Sequence, residues 1–501
     1  MEHCIMHFTS TRSPRNVTSA QAIARGLAED GGLFIPSEFP KISDELIDRM
    51  IGMNYKARAR EILPLYLTDF TADEIARCVE AAYTGTFDNE NPAPLVELTP
   101  GLNILELWHG PTCAFKDMAL QLLPHLLTLS ARKAAPGRTM VILTATSGDT
   151  GKAALDGFAD VPGTKIIVFY PQNGVSSMQK LQMVTQKGDN VAVCAIEGNF
   201  DDAQNGVKKI FSDQEMKEYL NARDMEFSSA NSINFGRLVP QIIYYVSAYC
   251  DLLGQGKLRR SERFNVAVPT GNFGNILAAV YAREMGIPIA RLICASNRNN
   301  VLTDFIRTGL YDRNRQFFTT SSPSMDILIS SNLERMLSLL YDGDFTAVAG
   351  LMEQLAKTGC YSIAPEARKK LQAEFFGGFC DDVGTAETIG ETFRNHRYLC
   401  DPHTAVALNV YEQYRRETGD GTPCVLASTA SPFKFAAAVL PAVQPGTQPA
   451  DEFGMVEKLA EVTGVPIPKP LAGLKNLPVL HTGCVTREKM GLFIRDFLNR
   501  R

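Results

Sequence analysis

The sequence predicts an α/β protein with a mostly parallel sheet. Thr139 to Ala145, Lys165 to Tyr170, Asn190 to Ile196, Phe264 to Val268 and Arg291 to Ala295 read as buried strands. A loop rich in Gly, Asn or Ser follows each of them, and then a helical stretch, the order that builds helices over a parallel sheet. The chain has 501 residues, 45% apolar and 21% charged, ordinary globular composition with room for roughly three domains.

Ahead of this alternation, the first 95 residues look helical and rather polar. Ile5 to Phe8 reads as an N-terminal strand. Asp44, Ile47, Met50 and Ile51 start one amphipathic pattern. Thr71 stands as the N-cap of another helix, with Glu74 completing a capping box. Asn89 to Pro94, with two prolines, reads as a linker. Ala119 to Leu129 and Ile276 to Glu284 read as helices, and Gln214 to Met225 as a solvated helix face. At the end, Pro478 to Leu480 is strand-like and precedes a final helix.

Charge and cysteine usage exclude several function classes. Fifty Lys and Arg against 55 Asp and Glu give a net charge of −5, with no basic excess for nucleic acid or an anionic membrane. No apolar run approaches the ~18 residues that span a bilayer, and Met1 to Ser13 lacks a secretory pattern, so a cytoplasmic address is expected. The 11 cysteines lack C-x-x-C spacing and read as free thiols. His3, Cys4 and His7 have tolerable metal spacing but no third partner close in sequence, and no metal is expected.

Four loops carry candidate chemistry. In His109-Gly110-Pro111-Thr112-Cys113-Ala114-Phe115-Lys116-Asp117, a Gly-Pro turn puts Lys116 at the start of an apolar helix. The helix dipole and desolvation there lower an amine's pKa, as a Schiff-base nucleophile requires, although a surface lysine beside a turn looks the same. Thr144 to Lys152 places hydroxyls and free amides at a helix N-terminus, a ready anion site. It is not a nucleoside triphosphate loop, because Thr146 stands where the first glycine belongs and Ala153 where Ser or Thr would hold magnesium. Pro269 to Asn275 offers two glycines three apart between strand and helix, fit to wrap a phosphate but without the dinucleotide fingerprint. Ser428 to Pro432 puts hydroxyls at a strand's C-terminal end, facing a ligand crevice or serving only as a helix cap.

Taken in this order, the four elements resemble the threonine synthases, pyridoxal-phosphate enzymes of fold type II, in the long-chain branch with an N-terminal domain. The resemblance runs almost end to end. It includes Ser10 to Arg12, Gly26 to Pro36, Glu197 to Asp202, Asn231 to Arg237, Pro323 to Asp326, Ser330 to Arg335 and Asp401 to Val406. It implies two α/β sheet domains plus a mainly helical N-terminal domain. The N-terminal domain would take 1–94, the large cofactor-binding domain 95–135 and 232–501, and the smaller domain 136–231.

Pyridoxal 5'-phosphate is the implied cofactor, with Lys116 as the lysine that binds it. Gly271, Asn272, Phe273, Gly274 and Asn275 would cradle its phosphate, Thr429 would meet the ring nitrogen, and Asp149 would lie near the ring hydroxyl. Ser147, Thr150, Asn234 and Arg237 are the candidates for the substrate's phosphate and carboxylate, a task suited to arginine's planar fork. The sequence departs from the family pattern at Ser431, often His, at Phe235, often Trp, at Gly236, often Ala, and at Cys113, usually larger and apolar.

The implied reaction converts O-phospho-L-homoserine and water into L-threonine and phosphate, carried out by a monomer or homodimer that binds neither nucleic acid nor membrane. The rivals are a threonine synthase-like phospho-amino-alcohol lyase, which eliminates phosphate without adding water, and a non-catalytic binding protein on the same fold.

Overall fold

The computed structural model describes residues 5–500 apart from 147, 174 and 448–450. The chain opens with an antiparallel pair, β1 (Phe8–Ser10) and β2 (Phe34–Pro36). Helices Asp44–Ile51, Tyr55–Tyr66 and Ala72–Tyr83 follow. The capping box forms as expected: the Thr71 hydroxyl accepts from the Glu74 amide at 3.2 Å, and the Glu74 carboxylate accepts from the Thr71 amide at 2.8 Å. Arg12 to Glu334 at 2.8 Å and Arg58 to Asp251 at 2.6 Å tie this part to the body, over an apolar core that includes Phe8, Ile62 and Phe235.

Two sheets form the body. Next in chain order are β3 (Leu95–Thr99), β4 (Leu102–Glu106), β5 (Thr139–Ala145), β6 (Thr164–Pro171), β7 (Val191–Ile196) and β8 (Met225–Ser228). Then come β9 (Phe264–Pro269), β10 (Ile289–Ser296), β11 (Leu310–Asp312), β12 (Cys360–Ser362), β13 (Phe375–Phe379), β14 (Cys424–Ser428) and β15 (Gly483–Val485). The larger sheet runs β13-β10-β9-β14-β4-β3, parallel except at the β3–β4 hairpin. The smaller runs β15-β7-β6-β5-β8, parallel throughout. β5, β7 and β9 are buried on both faces, which is why they read as mostly apolar runs.

Four expectations need correcting. The C-terminal strand is Gly483–Val485 and not Pro478 to Leu480. It pairs with β7, so the end of 232–501 crosses back to the smaller sheet, a non-local pairing that local patterns do not encode. The helix read over Ala119 to Leu129 is two, Asp117–Leu120 and Leu123–Ala134, broken where Gln121 and Leu122 leave the helical ladder. The charged stretch from Gln214 ends its helix at Asn221, and Met225 opens β8. Its Met216 and Leu220 are buried, so it is more than a solvated face.

Every described cysteine is a free thiol. His3 and Cys4 lie outside the described residues; among the described ones no group of three or more His, Cys, Asp or Glu is placed to hold a metal ion. No described helix is long and apolar enough to cross a membrane.

Candidate active site

The C-terminal ends of the strands open on a cleft of about 1620 Å³, where ligands bind in α/β sheets. Strand pairing brings two of the four loops together there. β14 lies beside β4 with Ser428 opposite Glu106, so the segments leaving these strands run side by side. The Phe115 amide donates to the Thr429 carbonyl at 2.8 Å, and the Ser431 amide to the Cys113 carbonyl at 3.0 Å. Lys116 and Thr429 therefore face one space.

The turn that carries Lys116 is built around Asp117. Its carboxylate accepts from the Thr112 amide at 2.8 Å and the Thr112 hydroxyl at 2.5 Å. Burial pushes this carboxyl up to about 6. A Cβ on Gly110 would sit 2.5 Å from that of Asp117, so only glycine lets the turn close. Cys113 takes a left-handed conformation, φ 57°, within the turn.

Lys116 is buried and its amine is held below the ordinary lysine range. Desolvation is the main cause; Asp149 opposes it, and Lys434 and Arg237 add to it. The Lys116 Nζ lies 3.3 Å from the Ser324 hydroxyl and 3.6 Å from Asp149 Oδ2.

Asp149 starts the helix Asp149–Phe158, as the Ser-Gly-Asp-Thr loop requires. Its other oxygen pairs with Lys434 at 2.8 Å and accepts from Gln179 at 2.9 Å. Burial alone would raise this carboxyl, but Lys434 and Lys116 overcome burial and hold it well below the usual range. Lys434 also donates to the Thr112 carbonyl at 2.8 Å, which binds the Asp149 loop to the lysine turn.

Sequence reading assigned no role to Lys434, Gln179 or Ser324, although Ser324 lies in the Pro323 to Asp326 segment that carries the resemblance. For Lys434 the local signal was a lysine set in the apolar run Phe433-Lys434-Phe435-Ala436.

The phosphate loop lies at the start of helix Gly274–Glu284, with Phe273 left-handed at φ 62°. Among the described residues, the amides of Gly271 to Asn275 have no protein acceptor. Asn275 and Asn332 each keep a buried side-chain nitrogen without a partner beside them. A Cβ on Gly271 would stand 2.8 Å from the Ser324 carbonyl, so the backbone there is closed against its neighbour. These unmatched donors at a helix N-terminus form an anion cradle that fits a phosphate ester.

Arg237, 4% exposed, also lines the cleft. Among the described residues its guanidinium makes one hydrogen bond, to the Ala230 carbonyl at 3.0 Å, its Nε has no partner, and burial lowers its pKa to about 10. Thr150 lines the same cleft, and Ser147 lies outside the described residues.

Asn234 is not among the residues that line the cleft. Its side chain accepts from the Gly236 amide and donates to the carbonyls of Ile23 and Ser229, at 2.8, 3.0 and 2.9 Å. It is the N-cap of helix Phe235–Gly254, and its hydrogen-bonding atoms are used in holding that helix. Two of the departures have packing roles. Phe235 packs edge-on against Phe8, and a Cβ on Gly236 would come within 2.6 Å of Leu123.

Three family profiles match in series: threonine synthase N terminus over 7–83, pyridoxal-phosphate dependent enzyme over 87–429, and threonine synthase C-terminal over 404–477. The chain belongs to the threonine synthase family. A threonine synthase of Pseudomonas aeruginosa is 39% identical over 436 residues, 87% of this chain and 90% of that protein. Threonine synthase-like 1 of Homo sapiens is 42% identical over 435 residues, 85% of this chain and 58% of that protein. The chain thus spans under two thirds of that relative's length. The PLP-bound threonine synthase of Brucella melitensis superposes with a TM-score of 0.87 at 35% identity, covering 99% of this chain and 100% of that one. The family fold, type II with α/β sheets, is the one described above.

Proposed function

We propose that this chain converts O-phospho-L-homoserine and water into L-threonine and phosphate, with pyridoxal 5'-phosphate held at Lys116. The observation that carries the reading is a buried arginine without an anion, Arg237, in the same cleft as a lysine of lowered basicity. A buried cation left unpaired is costly, and a substrate with two anionic ends supplies the missing partner.

When bound, the cofactor supplies an electron sink for carbanionic charge beside the substrate's amino group. The amides of Gly271 to Asn275 would hold its phosphate. Asp149, fixed by Lys434 and Gln179, would face the ring hydroxyl. Thr429 offers the ring nitrogen an uncharged hydroxyl, which does not favour a full positive charge there as a carboxylate would.

Lys116, released as a free amine, takes the Cα proton, a step that its lowered pKa assists. Arg237 and Thr150, with Ser147 as their proposed companion, hold the substrate anions while phosphate leaves Cγ and water adds at Cβ. The net charge of −5 fits a small-molecule enzyme, and we place it in the cytoplasm as a monomer or homodimer.

The test is incubation with O-phosphohomoserine while phosphate and threonine are measured together. Equal release supports the proposal. Phosphate accompanied by a keto acid and ammonia supports the lyase reading. No product at all would leave a binding protein.

Two substitutions probe the site. Arg237→Ala should lower kcat/KM about 10- to 100-fold, the worth of a charge-assisted hydrogen bond, with cofactor binding unchanged. Titration with a non-phosphorylated, carboxylate-bearing analogue then assigns the anion: weakened binding of both ligands marks the carboxylate, and of the phosphorylated one alone the phosphate. Unchanged binding of both would remove Arg237 from the site. Thr429→Asp should favour a protonated ring and shift flux from threonine toward abortive elimination. Unchanged products and absorbance would make Thr429 only a structural contact.

A further inference from the structure

Ser324 sits in the short 3-10 turn Pro323–Met325, within a loop held firmly at its far side. The Asp326 carboxylate accepts from Asn297 at 2.8 Å, Asn299 at 3.0 Å and the Thr320 amide at 2.9 Å. Toward the cleft, three contacts converge on Ser324. Its hydroxyl accepts from Lys116 Nζ at 3.3 Å, and its carbonyl closes against Gly271 of the phosphate loop. Its amide donates to Nε2 of His403 at 3.1 Å.

That last bond fixes the imidazole's tautomer. Nε2 must carry the lone pair that accepts the amide, so the proton resides on Nδ1, 2.7 Å from Asp401 Oδ1. Asp401 is itself immobile. It is fully buried, caps helix Pro402–Thr418, and accepts from the His403 amide at 2.8 Å and from the Thr404 hydroxyl. A rigid helix N-terminus thus reaches the lysine amine through two side chains and one backbone amide.

We propose that Ser324 is a catalytic residue whose hydroxyl orients the Lys116 amine, and that the buried Asp401–His403 pair is the positioning device that holds Ser324 against it. This rests on Lys116 being the amine that bears the cofactor. A histidine kept only for packing has no need to accept a hydrogen bond from the residue that, among the described residues, sets its hydroxyl against Lys116. The charged groups facing Lys116 are Asp149, Lys434 and Arg237, and those facing His403 are Asp401 and Asp326.

The test reads the Lys116 amine directly and uses no substrate. Cofactor-free wild type, Ser324→Ala, His403→Leu and His403→Gln are labelled across a pH range with a limiting amine reagent, and Lys116 modification is quantified by peptide mapping. Ser324→Ala removes an acceptor from the ammonium form, so the midpoint for Lys116 should move down by about 0.5–1 unit. His403→Leu should give the same shift, His403→Gln should largely restore the wild-type midpoint by presenting a carbonyl to the Ser324 amide, and the double variant Ser324→Ala/His403→Leu should shift no further than either single one.

In the loaded enzyme, Ser324→Ala should lower kcat about tenfold with KM little changed. If His403→Leu does not fold, Asp401→Asn carries the same comparison. A wild-type midpoint in Ser324→Ala, in His403→Leu or in Asp401→Asn overturns the proposal, as does an additive shift in the double variant. The expected shifts in a protein that forms no threonine would uphold this inference and overturn only the assigned reaction.

Discussion

Lys116→Ala is expected to lose threonine formation by at least about 10³-fold while leaving the fold intact. The size follows from the two roles proposed for this lysine, covalent anchor for the cofactor and base for the Cα proton, the latter alone worth roughly 10²–10⁴-fold. The fold should survive because the lysine's recorded partners are few, Ser324 at 3.3 Å and Asp149 at 3.6 Å, and Asp149 keeps Lys434.

Borohydride reduction of the wild type should attach the cofactor to the Lys116 peptide and to no other. Lys434 is the instructive control, since it is still more deeply buried in the same cleft. It is paired with Asp149 and donates to the Thr112 carbonyl, so its amine is already engaged on two sides and is a poor nucleophile. A label on Lys434, or on Lys152 or Lys180, would contradict the assignment.

Lys434→Met should have the largest effect on stability. Its side chain has no solvent exposure, and removing it leaves the Asp149 carboxylate buried with only the more distant Lys116 to balance it. Breaking a buried pair in this way costs about 3–5 kcal/mol.

The pH dependence gives the sign. In the wild type Asp149 is depressed below its unfolded value, so its contribution is present at neutral pH and is lost as pH falls through the depressed folded value. Without Lys434, burial raises the same carboxyl, so the variant's penalty shrinks as the group becomes protonated. Urea unfolding should therefore show a gap that is widest near neutrality and narrows toward acid. The double variant Lys434→Met/Asp149→Asn should recover part of the loss. A gap independent of pH would mean that Lys434 acts only through its contact with Thr112.

What could be read from the sequence followed from the range of the interactions. β5 was legible from Thr139 to Ala145 because both faces of that strand are buried and its apolar run is unbroken. The Thr71–Glu74 cap was legible because both partners lie within one helical turn. The Lys116, Ser-Gly-Asp-Thr and Gly271 to Asn275 loops were legible as candidates because each is a contiguous stretch between two secondary-structure elements.

Lys434, Ser324 and His403 were not assigned roles, since their importance arises from pairing across 285, 208 and 79 positions of the chain. The candidate ligand role of Asn234 has a related origin. A buried polar residue in a site-like segment reads as a ligand until its partners are seen, and here those partners are all backbone atoms. The C-terminal strand joins β7 across nearly the whole length of the body, and no local pattern marks which of two short apolar stretches makes that pairing.

The most direct test of the central claim is turnover of O-phospho-L-homoserine in water labelled with heavy oxygen, followed by mass analysis of both products. The account predicts C–O cleavage at Cγ and water addition at Cβ. Threonine should carry one heavy oxygen in its hydroxyl, and the released phosphate none at the moment of cleavage. Heavy oxygen in the phosphate, with homoserine as the organic product, would show hydrolysis at phosphorus and contradict the account.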